Sequence, residues 1–335
     1  MASFAAIWLW IIALPSAFLD REYPIWQAKL RLLDTCDLGS IVVVGDSRAA
    51  ADIIPALLPG KATNLAIGGS QPVESYFAVK RALACPNPPS VFVLSHSIDH
   101  FFHPDTFWTR SARFGFLRFQ DLQDVYQTSV RLHDFSTYGT EADGLPPTLR
   151  NWMHATRFPP LHFASLMKGR LFARYWDNER FFERALMDRG HYFWGTAATS
   201  DVVTKEAQIR AFRISPVVDH YFKASLALLH DRGIAAVFVM APINSETGSA
   251  IDPAVRAEFA SYLRAYAARY PNLRFIGEDL PAWPDRFFGD RLLHMNPAGA
   301  ELFSRRLAAC LDQSRAEQIC DLNPQPEIRV GYQTE

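Results

Sequence analysis

Ile41-Val42-Val43-Val44 is a run of four β-branched residues, closed by Gly45-Asp46-Ser47 and followed by Arg48 and the alanines 49–51. Such a run, with no polar alternation, predicts a short strand buried on both faces, as strands are inside a parallel sheet. Gly45 and Asp46 end it, and the alanine-rich run from Ala49 to Leu58 predicts a helix up to Pro59-Gly60. Ser47 therefore falls on a strand-to-helix turn at the carboxyl edge of the sheet, where α/β folds place their chemistry. A helix cap supplied by Asp46 or Ser47 is the other reading, and the tripeptide alone leaves both open.

The same rhythm repeats. Ala62–Ile67 and Val91–Leu94 read as further strands, with a helix at about 72–84 between them. Strand–helix–strand–helix–strand over 41–95 implies a parallel sheet with right-handed crossovers. The rhythm lapses over 100–215, a stretch rich in Phe, Trp, Tyr, Arg and His, with helical stretches near 117–133 and 161–188 and a loop from Gly139 to Pro147. It is too long for a plain loop and reads as a mostly helical insertion that covers or extends the active-site edge. A helix at about 216–232, a strand at 234–240, a helix at 253–269, a strand at 273–276 and a last helix to about 312 resume the pattern. Asn296 as N-cap with Pro297 at the first helical position marks that last start. The expected fold is α/β: three layers, α/β/α, around a five-stranded, mainly parallel sheet.

Residues 2–19 carry no charge and end at Asp20-Arg21-Glu22. Eighteen residues reach about 27 Å at the helical rise, close to a bilayer core. No Lys or Arg precedes them, so the basic flank of a standard signal peptide is missing. Residues 1–21 read as a membrane anchor or signal segment, with a buried first helix as the alternative. The cations Arg21, Lys29 and Arg31 all follow it and by themselves favour the cytoplasmic side. Residues 22–320 then form the main domain, opening with a mixed linker and helix over 22–40, and 321–335 a loose tail. A net charge of −1 over 335 residues sets up no field for nucleic acid, and none is expected as a partner.

The four cysteines, at 36, 85, 310 and 320, show no zinc spacing. Cys36 and Cys85 each precede a strand, so in a parallel sheet both fall at its amino-terminal edge, where the last helix also returns. Disulfides Cys36–Cys85 and Cys310–Cys320 are geometrically sensible and imply an oxidising compartment; free buried thiols are the alternative.

Asp290 and His294 lie beyond the fifth strand, at the edge that carries Ser47. A serine needs a base and the base needs a partner to hold its tautomer, and an Asp-x-x-x-His turn can supply both. A solvated loop ahead of a capped helix is the plainer reading of that pair. Together Gly45-Asp46-Ser47, Asn64-Leu65-Ala66-Ile67-Gly68-Gly69 and Asp290-Arg-Leu-Leu-His294-Met-Asn-Pro-Ala-Gly resemble the first, second and fifth blocks of the SGNH/GDSL hydrolase superfamily. The resemblance implies Ser47 as nucleophile, His294 as base, Asp290 as its partner, and an oxyanion hole from Ser47, Gly68, Gly69 and Ser97. One departure stands out: the third block's Gly-x-Asn-Asp reads here Ser95-His96-Ser97-Ile98-Asp99-His100. The Asn donor is absent, so Ser97, His96 or a residue of the insertion must replace it, or the site is degenerate, since one lost donor costs about 10²–10³ in rate.

The apolar N-terminus, the insertion and the missing Asn resemble the periplasmic branch that serves exopolysaccharide O-acetylation, for alginate or cellulose, and the D-alanyl transfer protein of teichoic acids. That resemblance implies a serine O-acyltransferase or esterase in the periplasm, held at the inner membrane by an N-terminal helix. Its partners would be a polysaccharide acceptor and a membrane-bound acyl-donor protein; Arg48, His96 and Asn244 are the expected substrate-binding residues. A degenerate module that binds polysaccharide or scaffolds an envelope synthesis complex is the alternative. No cofactor or metal is expected: His96, His100 and His103 lack an accompanying carboxylate or Cys in a known spacing. The Gly-x-Gly-x-x-Gly of a dinucleotide site is also absent. Trp108, Trp152, Tyr175, Trp176, Tyr192 and Trp194 of the insertion could stack on glycan or fill a core.

Overall fold

The computed structural model describes residues 2–102, 106–139, 144–312 and 320–324. Strands β1 (Ile41–Gly45), β2 (Ala62–Asn64), β3 (Val91–Ser95), β4 (Ala235–Val239) and β6 (Leu273–Ile276) form one sheet in the order β2-β1-β3-β4-β6, every pair parallel. All five expected strands are present, and the sheet is wholly parallel. β1 is an interior strand, between β2 and β3, and buried throughout, which is what its β-branched run requires. A two-residue parallel pair not legible in the sequence, β5 (Ile243–Asn244) with β7 (Ala282–Trp283), lies outside it.

The order reverses direction between β1 and β3. Right-handed crossovers therefore place the helices of the two directions on opposite faces, giving three layers. α3 (Ser47–Asp52) and α12 (Pro297–Leu311) pack together, Ser304 donating to the Asp52 carbonyl at 3.1 Å. α4 (Pro72–Ala82), α9 (Pro216–Asp231) and α11 (Pro253–Arg269) form the opposite layer, with Phe222 against Tyr262 and Tyr266. The helix expected over 49–58 ends at Asp52, because Pro55 disfavours the helical conformation for Ile54 before it.

The insertion holds α5 (Phe119–Leu132), α6 (Pro147–Ala155), α7 (Phe163–Lys168) and α8 (Tyr175–Met187). The helix expected over 161–188 is broken at Gly169. A Cβ there would stand 2.6 Å from the Phe18 Cα, and Arg170 and Leu171 then take positive φ of 46° and 66°. The loop expected from Gly139 to Pro147 and the tail after 321 fall partly outside the described residues, as His103 does entirely.

The N-terminal run is divided. α1 (Ala2–Ala13) stops before a 3₁₀ turn at Pro15–Ala17, and among the described residues no helix is long and apolar enough to cross a membrane. Ala17, Phe18 and Leu19 are buried, and Asn178 of α8 donates to the carbonyls of Ser16 and Leu19 at 2.8 and 2.9 Å. The second half of the run thus belongs to the core. α2 (Tyr23–Asp34) continues it, and its Lys29 is fully buried, with the ammonium on the Ala66 carbonyl. Disulfides join Cys36 to Cys85 and Cys310 to Cys320, each with Cα atoms 5.6 Å apart.

Candidate active site

Gly45 gives the Ser47 turn its shape: a Cβ there would stand 1.9 Å from the Ser95 carbonyl oxygen. That close approach lets the Asp46 N–H donate to the same carbonyl at 3.2 Å. The Asp46 carboxylate then serves two loops. Oδ1 accepts from the Arg48 and Ala49 N–H groups at 2.9 and 3.4 Å, capping α3, and Oδ2 accepts from the Ser97 N–H at 2.6 Å. Burial works against this carboxylate, but His100, His96, Arg48 and the Ser97 bond outweigh it and hold it at about 2. The capping expected of Asp46 and the exposure of Ser47 at the turn coexist: Asp46 is the cap, and Ser47 is left facing a cavity.

That cavity, about 450 Å³, lies at the crevice between β1 and β3 where the strand order reverses. Ser47, Arg48, Gly68, Gly69, Ser97 and His294 all line it. His294 Nδ1 lies 2.6 Å from Asp290 Oδ2, while Asp290 Oδ1 accepts from the Leu292 and His294 N–H groups at 2.8 and 3.1 Å. Burial raises the Asp290 carboxyl, but the hydrogen bond and charge of His294 more than offset it, so it sits below the ordinary carboxylate range. An ionised carboxylate only accepts, so the neutral ring carries its proton on Nδ1, which makes Nε2 the nitrogen able to take a proton. Nε2 is buried and bonded to no protein group among the described residues, Ser47 included. Such contacts are often long in the free state of serine enzymes and tighten with substrate.

Five contributors are invisible in the motifs. Asp52, fully buried at the end of α3, accepts the Met295 N–H at 2.9 Å and so ties the Ser47 helix to the His294 loop. Burial raises its carboxyl well above the usual range. Trp194 of the insertion stacks on His294, centroids 5.1 Å apart and planes 26° off parallel, and lines the cavity. Arg110, on a π-helical turn (Phe107–Ala112), is paired with Glu22 at 2.7 Å, and its Nη1 lies 3.5 Å from where a Cβ on Gly68 would stand. Glu206 forms a buried ion pair with Arg48, and beside it Lys205 pairs with the buried Asp99 at 2.9 Å. Arg110, Trp194, Lys205 and Glu206 are all insertion residues on the cavity wall. The only advance signal for them was the length and aromatic content of that region.

Two expected substrate-binding residues lie elsewhere. Asn244 is buried as the N-cap of α10 (Ser245–Ala250), its oxygen accepting the Thr247 N–H and its amide donating to the Ser200 and Val202 carbonyls. With every polar atom engaged, it is a structural cap. His96 is buried behind the cavity wall with Nε2 2.9 Å from Ser75 Oγ, and burial lowers it to about 4, so it is neutral. It is His100, four residues further, that reaches the cavity, with Nδ1 2.7 Å from the Ser70 carbonyl. Ser97 lines the cavity, but its N–H belongs to Asp46, which leaves its hydroxyl as the available donor. Among the described residues no three His, Cys, Asp or Glu side chains are grouped to hold a metal ion. In comparisons with known proteins, no family model matches the chain and no curated protein matches it significantly.

Proposed function

We propose that this protein is a serine-dependent acyl-transfer enzyme of SGNH type, moving an acyl group through Ser47 to or from a hydroxyl of a cell-envelope or secreted polysaccharide. One observation carries the reading: His294 is locked by Asp290 through Nδ1, and its buried Nε2 has no protein partner among the described residues, in a cavity shared with Ser47. In this reading Nε2 takes the Ser47 Oγ proton as Oγ attacks the acyl carbonyl. Collapse of the tetrahedral intermediate expels the donor's alcohol or thiol with that proton, leaving an acyl-serine. A sugar hydroxyl or water then gives its proton to Nε2, attacks the ester, and releases Ser47 as the product leaves.

The oxyanion would meet the N–H groups of Ser47 and Gly68, because those of Arg48 and Ala49 are committed to Asp46. The guanidinium of Arg110, beside Gly68 and steadied by Glu22, stands in for the absent Asn as the third donor. The ion pairs Arg48–Glu206 and Lys205–Asp99 and the edge of Trp194 give the cavity the mixed polar and aromatic wall that suits a sugar. Two disulfides favour an oxidising compartment, the periplasm, and the apolar α1 favours attachment to the inner membrane, next to a membrane-bound acyl donor.

The test is release of p-nitrophenol from p-nitrophenyl acetate by the full-length chain, compared with Ser47→Ala and His294→Ala, with mass spectrometry for acetyl on Ser47. Loss of turnover in both variants and an acetylated Ser47 in the wild type are expected. Added oligosaccharides that become acetylated at the expense of acetate release would favour transfer. No turnover and no acyl-enzyme would overturn the reading. The unformed Ser47–His294 hydrogen bond would then favour a degenerate polysaccharide-binding or scaffold module.

A further inference from the structure

Fifteen large apolar side chains are exposed among the described residues, and eleven of them fall in residues 4–12 and 149–176. These two stretches pack on each other. Trp8 meets Trp152 of α6 and Phe158 at 5.7 and 5.5 Å, Phe4 meets Phe158 at 6.0 Å, and Trp10 meets Phe172 at 5.4 Å. These contacts bring Phe4, Trp152 and Phe172 of the exposed set together, so the apolar exposure is concentrated on two stretches packed side by side, and such a concentration marks an interaction site. Its outermost members are Met167 at 80%, Trp176 at 76%, Leu9 at 68% and Leu171 and Phe172 at 55% exposure. Leu171 is held outward on the turn where two successive residues adopt positive φ, a conformation bulky side chains avoid.

Charge identifies the occupant. From Gly144 to Trp176 the chain carries Arg150, Arg157, Lys168, Arg170 and Arg174 and not one Asp or Glu. Lys168 and Arg170 are exposed beside Met167 and Leu171. An apolar face with tryptophans and a rim on which cations outnumber the carboxylates of Asp20 and Asp177 complements a bilayer whose headgroups are anionic. α1 supports the same geometry: twelve residues span about 18 Å, too short for a hydrocarbon core of about 30 Å, yet apolar on all sides.

We propose that α1 and the α6–α8 face of the insertion together form an interfacial surface that lies in the plane of an anionic lipid membrane. This deepens the membrane attachment proposed above, adding the insertion as a second contact, and it is independent of acyl transfer. A cleft of about 710 Å³ at the rim, lined by Arg21, Lys168, Arg170 and Arg174 against Asp20 and Asp177, shares Glu22 with the Ser47 cavity. Docking on this face thus brings the active site to the bilayer surface.

The experiment is co-flotation of the full-length chain with vesicles of phosphatidylcholine, alone or with phosphatidylglycerol. The wild type should bind the phosphatidylglycerol vesicles more tightly, and alkaline carbonate should release it. Met167→Ser/Leu171→Asn/Trp176→Ser should bind roughly tenfold or more weakly with unchanged thermal unfolding, and Lys168→Glu/Arg170→Glu should lose the preference for phosphatidylglycerol. Wild-type binding by the triple variant would show that α1 acts alone, leaving the attachment and refuting the surface. Carbonate-resistant binding, a retained lipid preference in the charge variant, or no vesicle binding at all, as for a face that docks a protein, would each refute it too.

Discussion

Asp290→Asn tests the catalytic reading with the least structural disturbance. The carboxylate uses its two oxygens differently: Oδ1 accepts two backbone N–H groups, from Leu292 and His294, while Oδ2 accepts His294 Nδ1 at 2.6 Å. An asparagine is nearly isosteric and has one acceptor and one donor to assign. Two backbone donors hold the amide oxygen at the Oδ1 position, which turns the NH₂ toward Nδ1. Nδ1 must then accept, and the ring proton moves to Nε2, the atom that has to take the Ser47 proton. The loop is retained, but the tautomer is wrong for a base. When the orienting carboxylate of a serine triad becomes an amide, kcat falls by about 10⁴, or about 5.5 kcal/mol in the barrier. The assay is p-nitrophenyl acetate turnover with thermal unfolding measured in parallel. A variant that unfolds like the wild type and retains more than about a tenth of its kcat refutes the assignment of Asp290 as the orienting group.

Arg110→Ala should lower kcat by about 10²–10³ with little change in KM, the signature of a donor that acts on the oxyanion, whereas Arg110→Lys should recover part of the loss. Equal effects on KM alone would reduce Arg110 to substrate binding. Lys29 is lowered by burial to about 7, so between that value and its unfolded value near 10.5 the native state binds fewer protons. Stability should therefore rise with pH, by about 2 kcal/mol from pH 7 to 9, and Lys29→Met should flatten that slope in denaturant titrations. Cys36→Ser/Cys85→Ser opens a bridge between residues 49 apart in sequence and should cost about 4 kcal/mol on the chain-entropy model, against about 3 kcal/mol for Cys310→Ser/Cys320→Ser, whose separation is 10. Equal midpoints in denaturant for the two double variants would refute the ranking.

What was legible followed from periodicity and local chemistry. A β-branched run closed by a glycine reads as a strand buried on both faces, and β1 is that, inside the sheet between β2 and β3. Asn296-Pro297 starts a helix wherever it stands, and α12 begins there. The cysteine pairs and the shared edge of Ser47, Asp290 and His294 followed from counting crossovers in a parallel sheet. Local pattern misled where it met a tertiary demand. The run at 161–188 has helical composition, but the Phe18 backbone passes too close to Gly169 for a continuous helix. Asn244 was expected to bind substrate, but the carbonyls of Ser200 and Val202, brought to it by the fold, and the N–H of Thr247 in its own helix claim it.

The sequence alone determined the strands, their parallel direction and the edge on which Ser47, His294 and Asp290 appear, because these depend on side-chain period and on covalent order. Only the tertiary structure decided what else reaches that edge. Arg110, Trp194, Lys205 and Glu206 arrive from an insertion with no motif, and the site is fastened by contacts distant in sequence, Glu22 with Arg110 and Asp52 with Met295, the latter at a separation of 243. Contacts over such distances depend on how packed surfaces meet, and packing is a property of the whole chain rather than of any stretch within it.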